Sequence, residues 1–401
     1  MITTTHIIED KASFLEAVSL INTIQKSSFE PSEVLFFDIE TTGLSPASSY
    51  LYLIGCMFMD NKQVLHRQFF SEGIDEEALL INAYDELLSS HKILVHFNGQ
   101  TFDIPYVEKK RIQLELNNPN PDIISFDIFR ELKPLKKAFR LTSMSQKSLE
   151  VFAGLNRKDM YDGGQLIEVY NRYIAFKRLE AIRSNRSGID FTSFPSLGTP
   201  SGSSSELLEV LLLHNYEDVL GMLKVAELLS IVTLFKGAYR VLETQVIGDS
   251  FVVTIVPDDT AAAAAFTCPK EYVMPCEGTL HIAAGSNGVI KLELPLYTGE
   301  LKLFYANYKD YYYLPAEDSA VHKSIGEFLD KSIKTKCTRA NCYTRFSGTF
   351  LPWPSKITAD CTEVSILRKT ATDHFGFVNV DEITDGSHLS TYINELFGSL
   401  F

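Results

Sequence analysis

The 401-residue sequence has no apolar run that approaches the roughly 18 residues needed to span a bilayer. Its N-terminus mixes polar and apolar side chains without the basic start of a secretory signal, so we expect neither a membrane protein nor a secreted one. The six cysteines are scattered without the spacing of a disulfide framework or a zinc knuckle, which favours a reducing, cytoplasmic setting. No glycine-rich segment has the spacing of a P-loop.

Basic residues are also scarce: 37 Lys and Arg stand against 51 Asp and Glu, for a net charge of −14. The deficit is uneven. Residues 104–186 carry 16 basic and 10 acidic side chains, whereas 1–103 carry 5 and 15, and 187–401 carry 16 and 26. A locally basic segment is what a phosphate-binding surface requires. Helices with solvated charged faces produce the same composition, so the segment alone does not decide between the two.

Hydrophobic periodicity predicts an N-terminal helical extension over 1–29, an α/β domain over 30–236 and an α+β accessory domain over 237–401. In the α/β domain we predict strands at 34–38, 50–59, 63–70, 93–97 and 122–126. Helices are predicted at 9–24, 75–88, from about 102, through much of 130–183 and at 206–229. The Ser-, Gly- and Pro-rich segment 184–205 is expected to be a flexible loop. Further on, we predict strands within 240–256 and 279–308 and one helix over 315–332.

Two carboxylates two residues apart, Asp38 and Glu40, end the first strand of the α/β domain. Alternate residues of a strand point to the same side, so both acids share one face, opposite Phe37 and Ile39. Two like charges on one face of a central strand are costly to bury without a compensating cation, and carboxylate oxygens favour Mg²⁺ or Mn²⁺. A strand that runs out into solvent is the alternative.

Three further side chains lie in similar settings. Asp103 follows the buried strand at 93–97, where a helix cap would also explain it. His214 and Asp218 are four residues apart on a predicted helix and therefore share a face.

Together, these motifs resemble the pattern of the DEDD (DnaQ-like) exonucleases, which have Asp-x-Glu on the first strand, Asn-x-x-x-Phe-Asp after the fourth and His-x-x-x-Asp on the last helix. More closely, the chain resembles the YprB-like predicted exonucleases of the ribonuclease-H-like class. Their features are seen here at 36–44, 95–105, 125–129, 149–164 (with Arg157 and Asp159) and 214–219. The resemblance covers roughly residues 30–230. It implies a five-stranded mixed sheet flanked by helices.

The resemblance further implies a metal-dependent 3′-to-5′ exonuclease that hydrolyses phosphodiester bonds at single-stranded 3′ ends of DNA or RNA. Asp38, Glu40, Asp103 and Asp218 would hold two Mg²⁺ or Mn²⁺ ions. His214 would act as the general base, although the family usually places a catalytic His five residues before the last Asp. Side chains expected to contact nucleic acid are Thr41, Asn98, Phe102, Lys136, Lys137 and Arg140.

Two other classes of function stay open on the sequence alone. One is a catalytically silent nucleic-acid-binding protein that keeps the fold, and the other is an interaction scaffold that acts through residues 237–401. A degenerate copy would be expected to lose at least one acid, whereas all four are present.

Overall fold

The structure is a computed structural model, and it describes residues 1–159, 161, 163–185, 203–259, 261–264, 266, 270–357, 364–384 and 388–400. The chain forms two compact units, Met1–Val232 and Thr233–Phe401. Within the described ranges, no helix combines the length and the apolar character that crossing a membrane requires. Most of the loop predicted at 184–205, namely residues 186–202, lies outside the described residues.

The N-terminal unit alternates strands and helices. Its strands are β1 (Ile2–Ile8), β2 (Val34–Thr41), β3 (Leu51–Asp60), β4 (Gln63–Phe70), β5 (Ile93–His96) and β6 (Ile124–Asp127). Its helices are α1 (Lys11–Gln25), α2 (Glu77–Leu88), α3 (Asp103–Gln113), α4 (Ile128–Leu132), α5 (Lys136–Phe139), α6 (Gln146–Phe152), α7 (Gly163–Asn185) and α8 (Ser204–Ala226). The chain passes into the second unit within α9 (Leu229–Phe235).

The strands form one mixed sheet in the order β1-β4-β3-β2-β5-β6, with β2, β5 and β6 parallel and the other neighbours antiparallel. This confirms the predicted ribonuclease-H-like α/β sheet and adds a sixth strand. The added strand corrects the prediction of an N-terminal extension that is only helical. Residues 2–8 include a run of β-branched side chains, which favours a strand, and they pair with the edge of β4, whose backbone groups would otherwise lack partners.

Side-chain alternation along β2 separates the core from the acids. Leu35, Phe37 and Ile39 pack with residues of α2 and α3 in one apolar cluster. Asp38 and Glu40 point to the opposite face, which is covered by α8. A capping box starts α8, since the Ser203 hydroxyl accepts from the Glu206 N–H while the Glu206 carboxylate accepts from the Ser203 N–H. The helix therefore begins at a defined residue, and this sets the positions of His214 and Asp218.

The second unit consists mainly of strands. They are β7 (Tyr239–Ile247), β8 (Ser250–Pro257), β9 (Lys270–Val273), β10 (Thr279–Ala284), β11 (Ile290–Pro295), β12 (Tyr297–Phe304), β13 (Tyr311–Leu314), β14 (Ser319–His322), β15 (Thr335–Lys336), β16 (Tyr343–Pro352) and β17 (Phe377–Asn379). Its short helices are α10 (Ala261–Ala264), α11 (Lys323–Gly326) and α12 (Val380–Thr384), and the longer α13 (His388–Ser399) follows. The strands form sheets of five, three and three strands.

The helix predicted over 315–332 is wrong. Residues 319–322 instead form β14, which pairs antiparallel with β13, and only α11 within this range is α-helical. Asp318 ends the connecting turn with a positive φ of 47° and accepts hydrogen bonds from the hydroxyls of Tyr313 and Tyr343. The pairing with β13 and these hydrogen bonds, of which the one from Tyr343 spans 25 residues, outweigh the local helical pattern that starts at Pro315.

Candidate functional site

Three elements bring the acidic side chains to one side of the central strand. Asp38 and Glu40 come from β2, Asp103 from the first residue of α3, and Asp218 from α8, one turn after His214. Single ligand atoms of Glu40, His214 and Asp218 all lie within 4.8 Å of one another. The sheet and the helix thus bring together side chains that are about 180 residues apart in the chain.

Asp38 lies at the centre of this group. Burial raises the pKa of its carboxyl well above the usual value, and the negative charges of Asp218, Asp103 and Glu40 raise it further. A single hydrogen bond opposes them, since Asn215 Nδ2 donates to Asp38 Oδ2 at 3.0 Å. Asp38 therefore carries an excess of negative potential that the neighbouring side chains do not neutralise.

Glu40 and Asp103 show the same electrostatic strain. Burial raises the pKa of Glu40 to about 8, even though the charge of His214 acts in the opposite direction. Burial also raises the pKa of Asp103 to about 7, against hydrogen bonds from its own backbone N–H and from that of Ile39. Such pKa values are those of carboxylates collected at one point without enough cationic partners.

Asp218 differs from the other acids because protein cations bind it. Arg157 donates from Nη1 to Oδ1, and His214 Nε2 lies 3.0 Å from Oδ2. Burial would raise the pKa of Asp218, but His214 and Arg157 together lower it. Arg157 is fixed in turn by Glu150, which is 1% exposed and approaches α8 at Gly221, where a Cβ would lie 2.1 Å from its Oε1.

His214 is held between carboxylates on both sides of its ring. Nδ1 lies 2.7 Å from Asp159 Oδ2, and Nε2 lies 3.5 Å from Glu40 Oε1 as well as beside Asp218. Burial disfavours the charged ring, but the hydrogen bond and charge of Asp218, followed by Glu40 and Asp159, raise the pKa of His214 to about 9. Arg157 and Asp159, the two residues singled out in the segment 149–164, bind different partners: Arg157 binds Asp218 and Glu150, and Asp159 binds His214 and Lys147.

Asn215 is a site residue that sequence reasoning missed. It is fully buried, and its Oδ1 accepts from Gln68 Nε2 at 3.0 Å while its Nδ2 donates to Asp38. Gly55, which pairs with Asp38 across the sheet, makes room for it, since a Cβ at Gly55 would lie 2.0 Å from Asn215 Oδ1. The available signals were weak: a glycine inside a buried strand, which marks close approach, and an amide next to His214.

The side chains expected to contact nucleic acid lie in two places. Thr41 ends β2 directly after Glu40, and Asn98 and Phe102 lie between β5 and α3. Asn98 has a positive φ of 60° and donates its N–H to Asp127 Oδ1 at 2.8 Å. Exposed basic residues lie on and just after α5, namely Lys136, Lys137 and Arg140. Their contact with nucleic acid stays a prediction.

The donor set suits a hard divalent cation. All four acids offer carboxylate oxygens, which Mg²⁺ and Mn²⁺ prefer, and three of them have pKa values raised by burial. A bound cation would supply the positive charge that the surrounding residues lack. The chemistry of the side chains therefore fits the metal site implied by the sequence pattern.

Comparison with known proteins places this fold in a class. Residues 35–187 match a family model described as RNase_H superfamily. These residues include most of the mixed sheet described above, whose α/β architecture is consistent with a ribonuclease-H-like fold.

Individual proteins are only distantly similar. The PolC-type DNA polymerase III of Ureaplasma parvum serovar 3 is 28% identical over 155 residues, which are 33% of this chain and 11% of the polymerase. The chain thus spans about a tenth of that protein's length. Among solved structures, the family B DNA polymerase of Pyrobaculum calidifontis has a TM-score of 0.34 at 14% identity, covering 71% of this chain and 37% of the polymerase. A structure of exonuclease I has a TM-score of 0.27 at 11% identity, covering 91% of this chain and 69% of the exonuclease.

Proposed function

We propose that the N-terminal unit is a divalent-metal-dependent nuclease that removes nucleotides from single-stranded 3′ ends of DNA or RNA. The observation that carries the proposal is the group of four carboxylates that β2, α3 and α8 bring together, in which Glu40 is buried and Asp38, Asp103 and Asp218 are half-buried. Burial and the negative charges of the neighbouring acids raise the pKa values of Asp38, Glu40 and Asp103, so their charge is not fully compensated by protein cations. The ribonuclease H superfamily match supports the same class of chemistry.

The four carboxylates would hold two Mg²⁺ or Mn²⁺ ions. When bound, such ions lower the pKa of water and neutralise charge on the phosphate. Asn215 holds Oδ2 of Asp38 and Arg157 holds Oδ1 of Asp218, so two of the four acids keep a fixed orientation. The 3′-to-5′ direction and the DEDD class rest on the resemblance to YprB-like exonucleases.

His214 would accept the proton of the attacking water. Asp159 lies against Nδ1 and holds a proton on that nitrogen, while the acids keep a second proton on Nε2, 3.0 Å from Asp218 Oδ2, and, although burial opposes them, raise the pKa of His214 to about 9. Once the charge of the acids is neutralised by bound cations, that pKa would fall and Nε2 would be free to act as a base. A ring oriented in this way is suited to general-base catalysis. Burial would raise the pKa of Asp159, but the Tyr161 N–H, the charge of His214 and Lys147 Nζ at 3.1 Å together lower it, so the carboxylate stays ionised.

The test is cleavage of single-stranded oligonucleotides by the full chain in Mn²⁺. A 5′-labelled DNA or RNA strand should shorten stepwise, and a 3′-labelled strand should release labelled mononucleotide from the start. Asp38→Ala and Asp218→Asn should abolish both products, whereas Asp60→Asn, an exposed acid at the end of β3, should leave them unchanged. If wild type shortens the labelled strands no faster than Asp38→Ala, the enzyme proposal is overturned in favour of a silent binding protein. Internal fragments would overturn the proposal that nucleotides are removed from the 3′ end.

A further inference from the structure

The C-terminal unit contains a basic region within an otherwise acidic polypeptide. Residues 233–401 carry 15 Lys and Arg against 20 Asp and Glu, yet residues 302–345 carry 8 against 5. Within that region, residues 331–345 contain five basic side chains and no acidic one. Charge segregation of this kind provides a surface for an anionic ligand.

The fold places this basic segment against a cluster of tyrosines that is distant from it in the sequence. Pairing of β13 with β15 sets Tyr312 opposite Lys336. The Arg339 guanidinium lies 5.8 Å from the ring centre of Tyr308, in the turn before β13. Tyr305 and Tyr311 stack nearly parallel at 4.6 Å between ring centres.

These side chains are available to a ligand. Lys309 and Arg339 are exposed, and among the described residues no carboxylate oxygen lies within 4.0 Å of their charged nitrogens. The rings of Tyr305, Tyr308 and Tyr311 are partly exposed. We call these five residues the tyrosine–cation patch. Lys336 shares a face with Tyr312, on the side of β13 opposite Tyr311, and is not part of it.

We infer that the tyrosine–cation patch binds single-stranded nucleic acid independently of the acidic site in the N-terminal unit. Lysine and arginine would bind the phosphates, and the tyrosine rings would stack on unpaired bases, whose faces are accessible only in a single strand. An acidic protein would use the cations but would leave the tyrosine rings without stacking partners, so the aromatic content favours a nucleic acid.

The test measures binding rather than cleavage. Full-length Asp38→Asn protein in EDTA is titrated into fluorescein-labelled oligo(dT) and oligo(rU) at several salt concentrations. Adding Lys309→Glu and Arg339→Glu should raise the Kd by about five-fold or more and reduce the salt slope by about 1.4, since each lost phosphate contact in a single strand removes about 0.7. The matched control reverses two exposed charges of the same unit outside the patch, Lys291 and Lys356. It should change the Kd by less than about three-fold, because it leaves those phosphate contacts intact.

The stacking component has its own control. Tyr308→Leu should weaken binding of oligo(dT) by about ten-fold and leave binding of an abasic strand of equal length unchanged. The inference is overturned if the two double variants give the same Kd and salt slope, or if polyglutamate of equal charge binds as tightly as oligo(dT). If the wild-type chain binds oligo(dT) but does not cleave it in Mn²⁺, that result counts against the proposed function only.

Discussion

At the scale of single residues, Glu40 is the side chain whose ionisation state best reports the acidic site. Its pKa is raised from 4.5 to about 8 in the folded protein, so between these pH values the folded state binds more protons than the unfolded state. The free energy of unfolding contributed by this group therefore falls as the pH rises from about 5 to 8. Metal-free protein should lose stability over this range.

Glu40→Gln should remove that dependence. Relative to wild type in EDTA, we expect the variant to gain about 1–3 kcal/mol in the free energy of unfolding between pH 5 and pH 9, because the amide does not ionise. Urea unfolding followed by circular dichroism at both pH values measures the gain. The exposed control Asp60→Asn should show the same change in the free energy of unfolding with pH as wild type. If Glu40→Gln also shows the wild-type change, the pKa of Glu40 is not raised in the folded protein.

Asp159 is predicted to act through His214. Asp159→Asn should reduce the cleavage rate by about 10- to 100-fold, as loss of a side chain that orients a functional group does. The same substitution in a His214→Ala background should have almost no further effect, because the ring it orients is gone. The test compares the cleavage rates and their pH profiles for wild type, the two single variants and the double variant. Additive losses would show that Asp159 acts by another route.

At the scale of elements, the close approach of α8 to the sheet determines the position of Asp38. Gly55 on β3 has no side chain, and Asn215 of α8 occupies the space where a Cβ would lie. Gly55→Ala should therefore lower the free energy of unfolding by about 1–3 kcal/mol and displace the Asn215 amide from Asp38.

Gly348, a glycine within strand β16, is the matched control. A Cβ there would meet its nearest neighbour at an ordinary 3.7 Å, so Gly348→Ala should be nearly neutral. Asn215→Ala combined with Gly55→Ala should recover part of the loss, since the smaller side chain removes the clash. Thermal unfolding of wild type and the three variants tests this, and equal losses at Gly55 and Gly348 would show that the close approach has no energetic consequence.

Elements were predictable where local pattern and burial agree. The face shared by Asp38 and Glu40 follows from the period of two along β2, and the shared face of His214 and Asp218 follows from their spacing on α8. The partners of these acids were not predictable in the same way. Asn215, and Arg157 as a partner of Asp218, meet the acids only through tertiary packing, which has no sequence period.

At the scale of the whole molecule, the two units differ in how far their sequence revealed them. The N-terminal sheet was predicted except for β1, whose short sequence becomes a strand because β4 offers an unpaired edge. In the C-terminal unit, the segment 315–332 has a helical local pattern but forms a β-hairpin with the tyrosines of β13. The hairpin pairing itself is local, whereas the hydrogen bond from Tyr343 of β16 to Asp318 in its turn is distant in sequence and is not encoded in the pattern of 315–332.

Charge distribution links the two proposals at this scale. A chain with net charge −14 repels nucleic acid as a whole, so binding of nucleic acid by this chain must depend on local basic surfaces. The segment 104–186 is basic in composition, and the tyrosine–cation patch of the second unit carries exposed cations. Under the proposed function, the acidic site would bind a metal ion before a phosphate approaches it.

Manganese binding is therefore the most direct test of the central claim, that the four carboxylates form a divalent-metal site. Titration of Mn²⁺ into the full chain, followed by electron paramagnetic resonance of the free ion, should show saturable binding in wild type and in Asp60→Asn. Asp38→Asn should lose most of that binding while its circular dichroism spectrum stays unchanged. Equal Mn²⁺ binding by wild type and Asp38→Asn would contradict the claim.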